Sequence, residues 1–224
     1  MYKEICEREV PSDILARYVQ SSLAGPEALW FWRRSFATQL AASSLFCHLL
    51  ACGDCTADRL VFSRTTGRVL ACDLRPSYSP AGKLERPASS TVPFRLTRNV
   101  TVALSPFLVD GLLTSTMVAL AQALDSQQRF VEPCLQLLLH EDLVAAHAAG
   151  TVRSDADIRA AEVQLRGCAL ENAASVLEKI RHLAPALEPA DGNGPADAGA
   201  RALVAQACAW ENIATMPPTW APWL

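Results

Sequence analysis

Leu50-Ala51-Cys52-Gly53-Asp54-Cys55-Thr56-Ala57-Asp58-Arg59-Leu60, followed a little further on by Cys72-Asp73-Leu74-Arg75, is the stretch around which the other segments of this chain arrange themselves. Gly53 is the natural stop for an apolar helical pattern that reaches back to about Trp30, which predicts a long helix over residues 30–51. Two short apolar runs, residues 59–63 and 68–72, are separated by Thr65-Thr66-Gly67, a turn composition that predicts a small two-stranded hairpin. Asp54, Thr56 and Arg59 precede the turn in sequence and Asp73 follows it. Cys52 and Cys55 have the spacing of a redox or zinc pair, with Cys47, His48 and Cys72 nearby in sequence. A structural zinc needs a second closely spaced ligand pair, however, and Cys72 stands alone where that pair would be. Eight cysteines in a chain of this kind read first as small buried hydrophobes of a reducing compartment.

Upstream, Ile14, Leu15, Tyr18, Val19 and Leu23 recur at helical spacing and predict a first helix over residues 11–24, with Ser12 or Asp13 as its cap; Gly25-Pro26 breaks it. Downstream, residues 76–91 are rich in Pro, Ser and Gly and form a loop that ends at Val92-Pro93-Phe94. Residues 108–124, 131–149 and 154–184 carry apolar side chains at three- and four-residue spacings and are helical. A Pro/Gly/Ala/Asp linker lies between 185 and 199. A last helix over 200–213 leads to Met216-Pro217-Pro218-Thr219-Trp220-Ala221-Pro222-Trp223-Leu224.

The 224 residues are 50% hydrophobic and only 19% charged, with a mean hydropathy of +0.14. That is enough to fill a sizeable core, and it leaves more apolar surface than a freely soluble monomer tolerates, which points to missing neighbours. The net charge of −3 is split between a first half with 13 basic and 10 acidic residues (1–110) and a second with 7 and 13. The one adjacent basic pair, Arg33-Arg34, is no cationic face, so direct nucleic-acid binding is not expected. Met1-Tyr2-Lys3-Glu4-Ile5 lacks the basic and apolar segments of a secretory signal, and polar residues interrupt the apolar stretch 36–52, so no transmembrane segment is expected. Trp30 and Trp32 are assigned to core or helix-entry packing. His140, followed by Glu141 and Asp142, has no nucleophile at motif spacing and is assigned to helix-surface or interhelical hydrogen bonding. Ser105 and Ser115 lack the Gly-x-Ser-x-Gly elbow of serine hydrolases.

Three stretches, in order, resemble the phosphatidylinositol-kinase-related protein kinase family. Residues 50–60 with Cys72-Asp73-Leu74-Arg75 are similar to its catalytic loop and metal-binding motif. Val92-Pro93-Phe94-Arg95-Leu96-Thr97-Arg98-Asn99 is similar to the segment that closes its activation loop. Residues 210–224 look like the FATC element that ends its members. Phe36-Ala37-Thr38-Gln39-Leu40-Ala41, the Pro93–Thr97 run and the Pro-Thr-Trp-Ala-Pro-Trp-Leu ending resemble the TRRAP/Tra pseudokinase branch most. The resemblance implies a mainly α fold with a small β hairpin: a protein-kinase-like C-terminal lobe (1–184), a linker (185–199) and a helical FATC-like tail (200–224). It also implies that Trp220, Pro222, Trp223 and Leu224 dock the tail onto the lobe, with contact to a partner protein as the alternative role of the same residues.

Active relatives carry Gly-Asp-Arg-His-x-x-Asn and Asp-Phe-Gly, in which the Asn and the second Asp hold magnesium. Here Asp54 is retained, Cys55 and Thr56 replace Arg-His, Arg59 replaces Asn, and Asp73 is followed by Leu74 and Arg75. A guanidinium is never neutral at working pH, so Arg59 sets repulsion where a divalent cation would sit. No Gly-rich loop or strand lysine precedes Lys3. The expectation is a pseudokinase that binds neither ATP nor magnesium, on a chain that is a fragment, a split gene or an incomplete gene model. The implied role is a nuclear scaffold within SAGA-type histone acetyltransferase complexes, in contact with their subunits and with transcriptional activators. Two rivals stand beside it: the C-terminal fragment of an active kinase of the family, and a free-standing helical module with a metal site at Cys52 and Cys55.

Overall fold

The computed structural model describes residues 2–53, 55–148, 155–184 and 197–223. Helices α1 (Tyr2–Glu9), α2 (Ile14–Ser22) and α3 (Pro26–Leu49) lead into the hairpin of β1 (Leu60–Phe62) and β2 (Val69–Ala71). The strands are antiparallel, with Leu60 opposite Ala71 and Phe62 opposite Val69. After a long loop come α4 (Arg98–Ala103), α5 (Leu112–Ser126), α6 (Gln128–Ala148), α7 (Asp155–Leu183), α8 (Ala198–Cys208) and α9 (Trp210–Ala214), and a 3-10 turn at Pro218–Trp220. The fold is thus mainly helical with one small hairpin, as the sequence patterns predict.

Trp32, Phe36 and Leu40, one helical turn apart, are each no more than 1% exposed and form the inner stripe of α3. They face α5, whose Leu113, Met117 and Ala121 are equally buried, and α7 closes the same core with Ala173, Val176 and Ile180. Residues 108–126 are long and apolar enough to cross a membrane, and α5 within this segment packs against α3, α7 and α8 through Leu113, Met117 and Ala121. Asn172 on α7, 3% exposed, pins the long loop by accepting from the Leu84 amide (2.9 Å) and donating to the Gly82 carbonyl (2.8 Å).

Several expectations change in detail. α3 begins at Pro26, not near Trp30, because proline is well suited to the first turn, where its missing N–H has no helical partner. Trp30 is therefore well inside the helix, on the face opposite Trp32, and is 56% exposed; it is not a core residue. The helix ends at Leu49, and Ala51, with φ of 52°, takes the left-handed position expected of Gly53. Gly53 has a different requirement: a β-carbon there would lie 2.4 Å from the Pro87 ring. Asp13 occupies the cap position of α2, but its carboxylate pairs with Arg17 at 2.5 Å instead of bonding a backbone amide. α1 and α4 lack a long apolar repeat and escaped the pattern. Arg98 and Asn99 of α4 nevertheless hold the N-terminal region, with Arg98 donating to the Cys6 carbonyl (2.7 Å) and Asn99 to that of Pro11 (3.4 Å).

Candidate functional site

The degenerate kinase positions gather around the hairpin. Thr56 leads into a 3-10 turn over Ala57–Arg59, its carbonyl accepting from the Arg59 amide at 3.3 Å, and the Arg59 carbonyl accepts from the Cys72 amide at 2.8 Å, which closes the open end of the hairpin. This brings Arg59 beside Asp73, and its Nη1 donates to the Asp73 backbone carbonyl at 3.4 Å. Asp73 itself is exposed, with φ of 50°, a left-handed conformation that aspartate tolerates better than most residues. Thr56, Arg59 and Asp73 are therefore neighbours, with a guanidinium against the second acidic position; Asp54 lies outside the described residues. The hollow beside Thr56 and Arg59, walled also by Cys55, Cys72, Leu74, Phe94 and Arg95 and not by Asp73, has a volume of about 30 Å³. That is room for water and an order of magnitude below the pockets that take small organic ligands.

Cys47, Cys52 and Cys55 come together at the end of α3. Contact with the other two thiols, reinforced by burial, pushes the Cys47 pKa far up, so it is a protonated core thiol. All the cysteines are free, and no group of three or more metal-ligating side chains occurs among the described residues. His140 Nε2 is buried without a partner among the described residues, so the hydrogen bond expected of it is not made by that atom.

Arg95 forms the back wall of the hollow and is 6% exposed. Its guanidinium donates to the carbonyl of Trp220 and to that of Ala221 (3.0 Å), and it stacks 4.4 Å from the Trp220 ring centroid. Burial lowers its pKa to about 10, opposed by Cys55 and Asp58, so it remains charged at neutral pH. Trp220 is 2% exposed and clusters with Val92, Ile213 and Met216; Pro222 is buried and Trp223 is 38% exposed. Thr91 adds a hydrogen bond to the Asn212 carbonyl at 2.6 Å. Leu224 is outside the described residues. Arg95 and Thr91 were not singled out by sequence reasoning. The one signal available was a lone arginine in the otherwise uncharged run 92–97.

The sequence profile of the phosphatidylinositol 3- and 4-kinase family matches residues 2–147. The chain belongs to this family. Similarity to Tra1 of Schizosaccharomyces pombe, a SAGA and NuA4 acetyltransferase complex subunit, covers 100% of the chain at 28% identity and 6% of that protein. The transformation/transcription domain-associated protein of Mus musculus is 26% identical over 99% of the chain, which corresponds to 9% of its own length. The DNA-dependent protein kinase catalytic subunit of Dictyostelium discoideum is 29% identical over 61% of the chain and 3% of its own length. The solved FAT and kinase domain of CtTel1 superposes on the whole chain with a TM-score of 0.66 at 19% identity, covering 14% of that structure. The fold of this family member is thus that of a phosphatidylinositol-kinase-related kinase domain, and the chain spans less than a tenth of its curated relatives.

Proposed function

We propose that this chain is a non-catalytic scaffold, the C-terminal part of a TRRAP/Tra-type coactivator subunit of SAGA-type histone acetyltransferase complexes. In this reading it works in the nucleus through contacts with complex subunits and transcriptional activators, and touches neither nucleic acid nor membrane. Its parts are a kinase-like C-terminal lobe (1–184), a linker (185–199) and a FATC-like tail (200–224) docked through Trp220, Pro222, Trp223 and Leu224.

The observation that carries the non-catalytic part is Arg59. Phosphoryl transfer needs divalent cations between the catalytic loop and the following Asp. Here a permanently protonated guanidinium sits 3.4 Å from the Asp73 backbone carbonyl, and its charge repels a cation approaching that residue. The coactivator part is supported by likeness to Tra1 that runs through the tail, whereas likeness to the Dictyostelium kinase covers 61% of the chain. That kinase match keeps a second reading in play, the C-terminal piece of an active protein kinase.

Two measurements separate them. With ATP and magnesium, the purified chain is expected to show no rise in melting temperature and no phosphate transfer; a clear rise or transfer establishes the kinase reading instead. Affinity purification of the tagged chain from nuclei is expected to recover acetyltransferase-complex subunits. Recovery of the chain alone removes the coactivator reading.

A further inference from the structure

The face of α3 turned away from the core is not solvent-adapted. Trp30 and Phe31 are 56% and 55% exposed, with ring centroids 5.0 Å apart in an edge-to-face arrangement. Across from them the segment between α4 and α5 presents Phe107 at 74% exposed, with Leu108 and Leu112 beside it. Between Trp30 and Phe107 runs an open groove of about 450 Å³, with Phe31 packed against Trp30 outside its lining. It follows α3 from Pro26 to Ala37, which at 1.5 Å per residue is roughly 17 Å, or three helical turns. The charged side chains in its lining are Arg33 and Arg34. The Arg34 guanidinium lies 5.5 Å from the Trp30 ring centroid, and neither arginine has a salt bridge among the described residues.

We propose that this groove receives an acidic amphipathic helix of a partner protein. An apolar trough of three turns between a helix and a loop matches apolar residues at i, i+3, i+4 and i+7. Tryptophan and arginine are among the side chains that dominate binding energy at interfaces, and phenylalanine is enriched there. The two guanidiniums, which have no salt bridge among the described residues, select the sign of the partner's flank, since carboxylates there gain both Coulomb attraction and charge-assisted hydrogen bonds. A second copy fits poorly, because two-fold pairing of the same patch sets Arg33 and Arg34 against their own equivalents. Nucleic acid fits poorly too, because an aromatic and aliphatic floor with two cations neutralises few phosphates. The inference stands on the groove alone and holds whether or not the chain is catalytically silent.

The test uses the whole chain and a fluorescein-labelled three-turn peptide with Leu and Phe at i, i+3, i+4 and i+7 and Glu on its flanks, followed by fluorescence anisotropy. The peptide is expected to bind, more weakly as salt rises, and to lose about tenfold in affinity with Trp30→Ala and with Phe107→Ala. Both side chains are mostly exposed, so unchanged melting of the variants separates lost binding from lost folding. The double reversal Arg33→Glu with Arg34→Glu is expected to invert preference toward the same peptide with Lys in place of Glu. Absence of binding, equal binding of the Glu and Lys peptides, or a dimer in sedimentation that Trp30→Ala disperses each overturns the proposal.

Discussion

Arg95 carries its charge to a position 6% exposed, where among the described residues its guanidinium meets the Trp220 and Ala221 carbonyls and the Trp220 ring and forms no carboxylate ion pair. Arg95→Ala removes two charge-assisted hydrogen bonds and a desolvated cation–π contact, with an expected cost of about 3 kcal/mol in urea unfolding. Arg95→Lys keeps the charge, but a point ammonium lacks the planar fork that serves two acceptors, so it should recover less than half of that loss. The sequence marks Arg95 only as one letter of a family motif, because backbone carbonyls some 125 residues away carry no side-chain pattern to read. His48 is a second such residue. Burial, then the charges of Lys179 and Arg86, lower its pKa from 6.5 to about 4. Between those values the unfolded chain binds more protons than the folded one. Stability is therefore full above about pH 6.5 and declines as pH falls toward 4, by on the order of 3 kcal/mol. Urea midpoints measured across that window should decline less for His48→Gln than for the parent chain; parallel profiles would remove His48 as the cause.

At the level of elements, the hairpin is held to α3 by contacts that local propensity does not predict. The Trp32 indole donates to the Ser63 carbonyl at 3.0 Å, and Gln39 accepts from the Val69 amide at 2.7 Å. Gly67, with φ of 69°, lets the turn approach so closely that a β-carbon would meet the Trp32 carbonyl oxygen at 2.3 Å. Gly67→Ala is expected to cost about 3 kcal/mol through combined clash and strain, and to speed hydrogen exchange in β1 and β2. Gly167, in the interior of α7, has nothing within 4 Å of the same position. Gly167→Ala should therefore raise stability by about 0.8 kcal/mol, and opposite signs for the two variants in one denaturation series test the assignment. Turn chemistry and period made the hairpin, α3 and α5 legible from Thr65-Thr66-Gly67 and the apolar repeats. The short polar α1 and the six-residue α4 were not, because tertiary contacts through Arg98 and Asn99 position them. Periodicity likewise locates an apolar stripe without saying which apolar residues stay outside it, and Trp30 is the consequence.

For the molecule as a whole, the order of motifs along the chain was enough to recover the kinase-like lobe. What motif order could not supply was the route by which the tail returns to that lobe. Val92 and Arg95, Ile213 and Met216, and Trp220 meet in a small core separate from the main one, so the last residues act as part of the lobe's wall. A chain ending at Thr215 loses Met216 and Trp220 from that core and removes the Trp220 and Ala221 carbonyls that Arg95 donates to. The expected loss is on the order of 5 kcal/mol, visible as an earlier urea midpoint and as aggregation on size exclusion. Trp223→Ala provides the contrast: at 38% exposed, truncating its side chain should cost less than about 1 kcal/mol. If that variant folds normally yet fails to recover partners from nuclei, Trp223 is a contact residue and the tail serves both the lobe and its complex. If the chain cut after Thr215 is as stable and soluble as the parent, Trp220 is not a structural anchor, and the small core around it contributes nothing to holding the lobe.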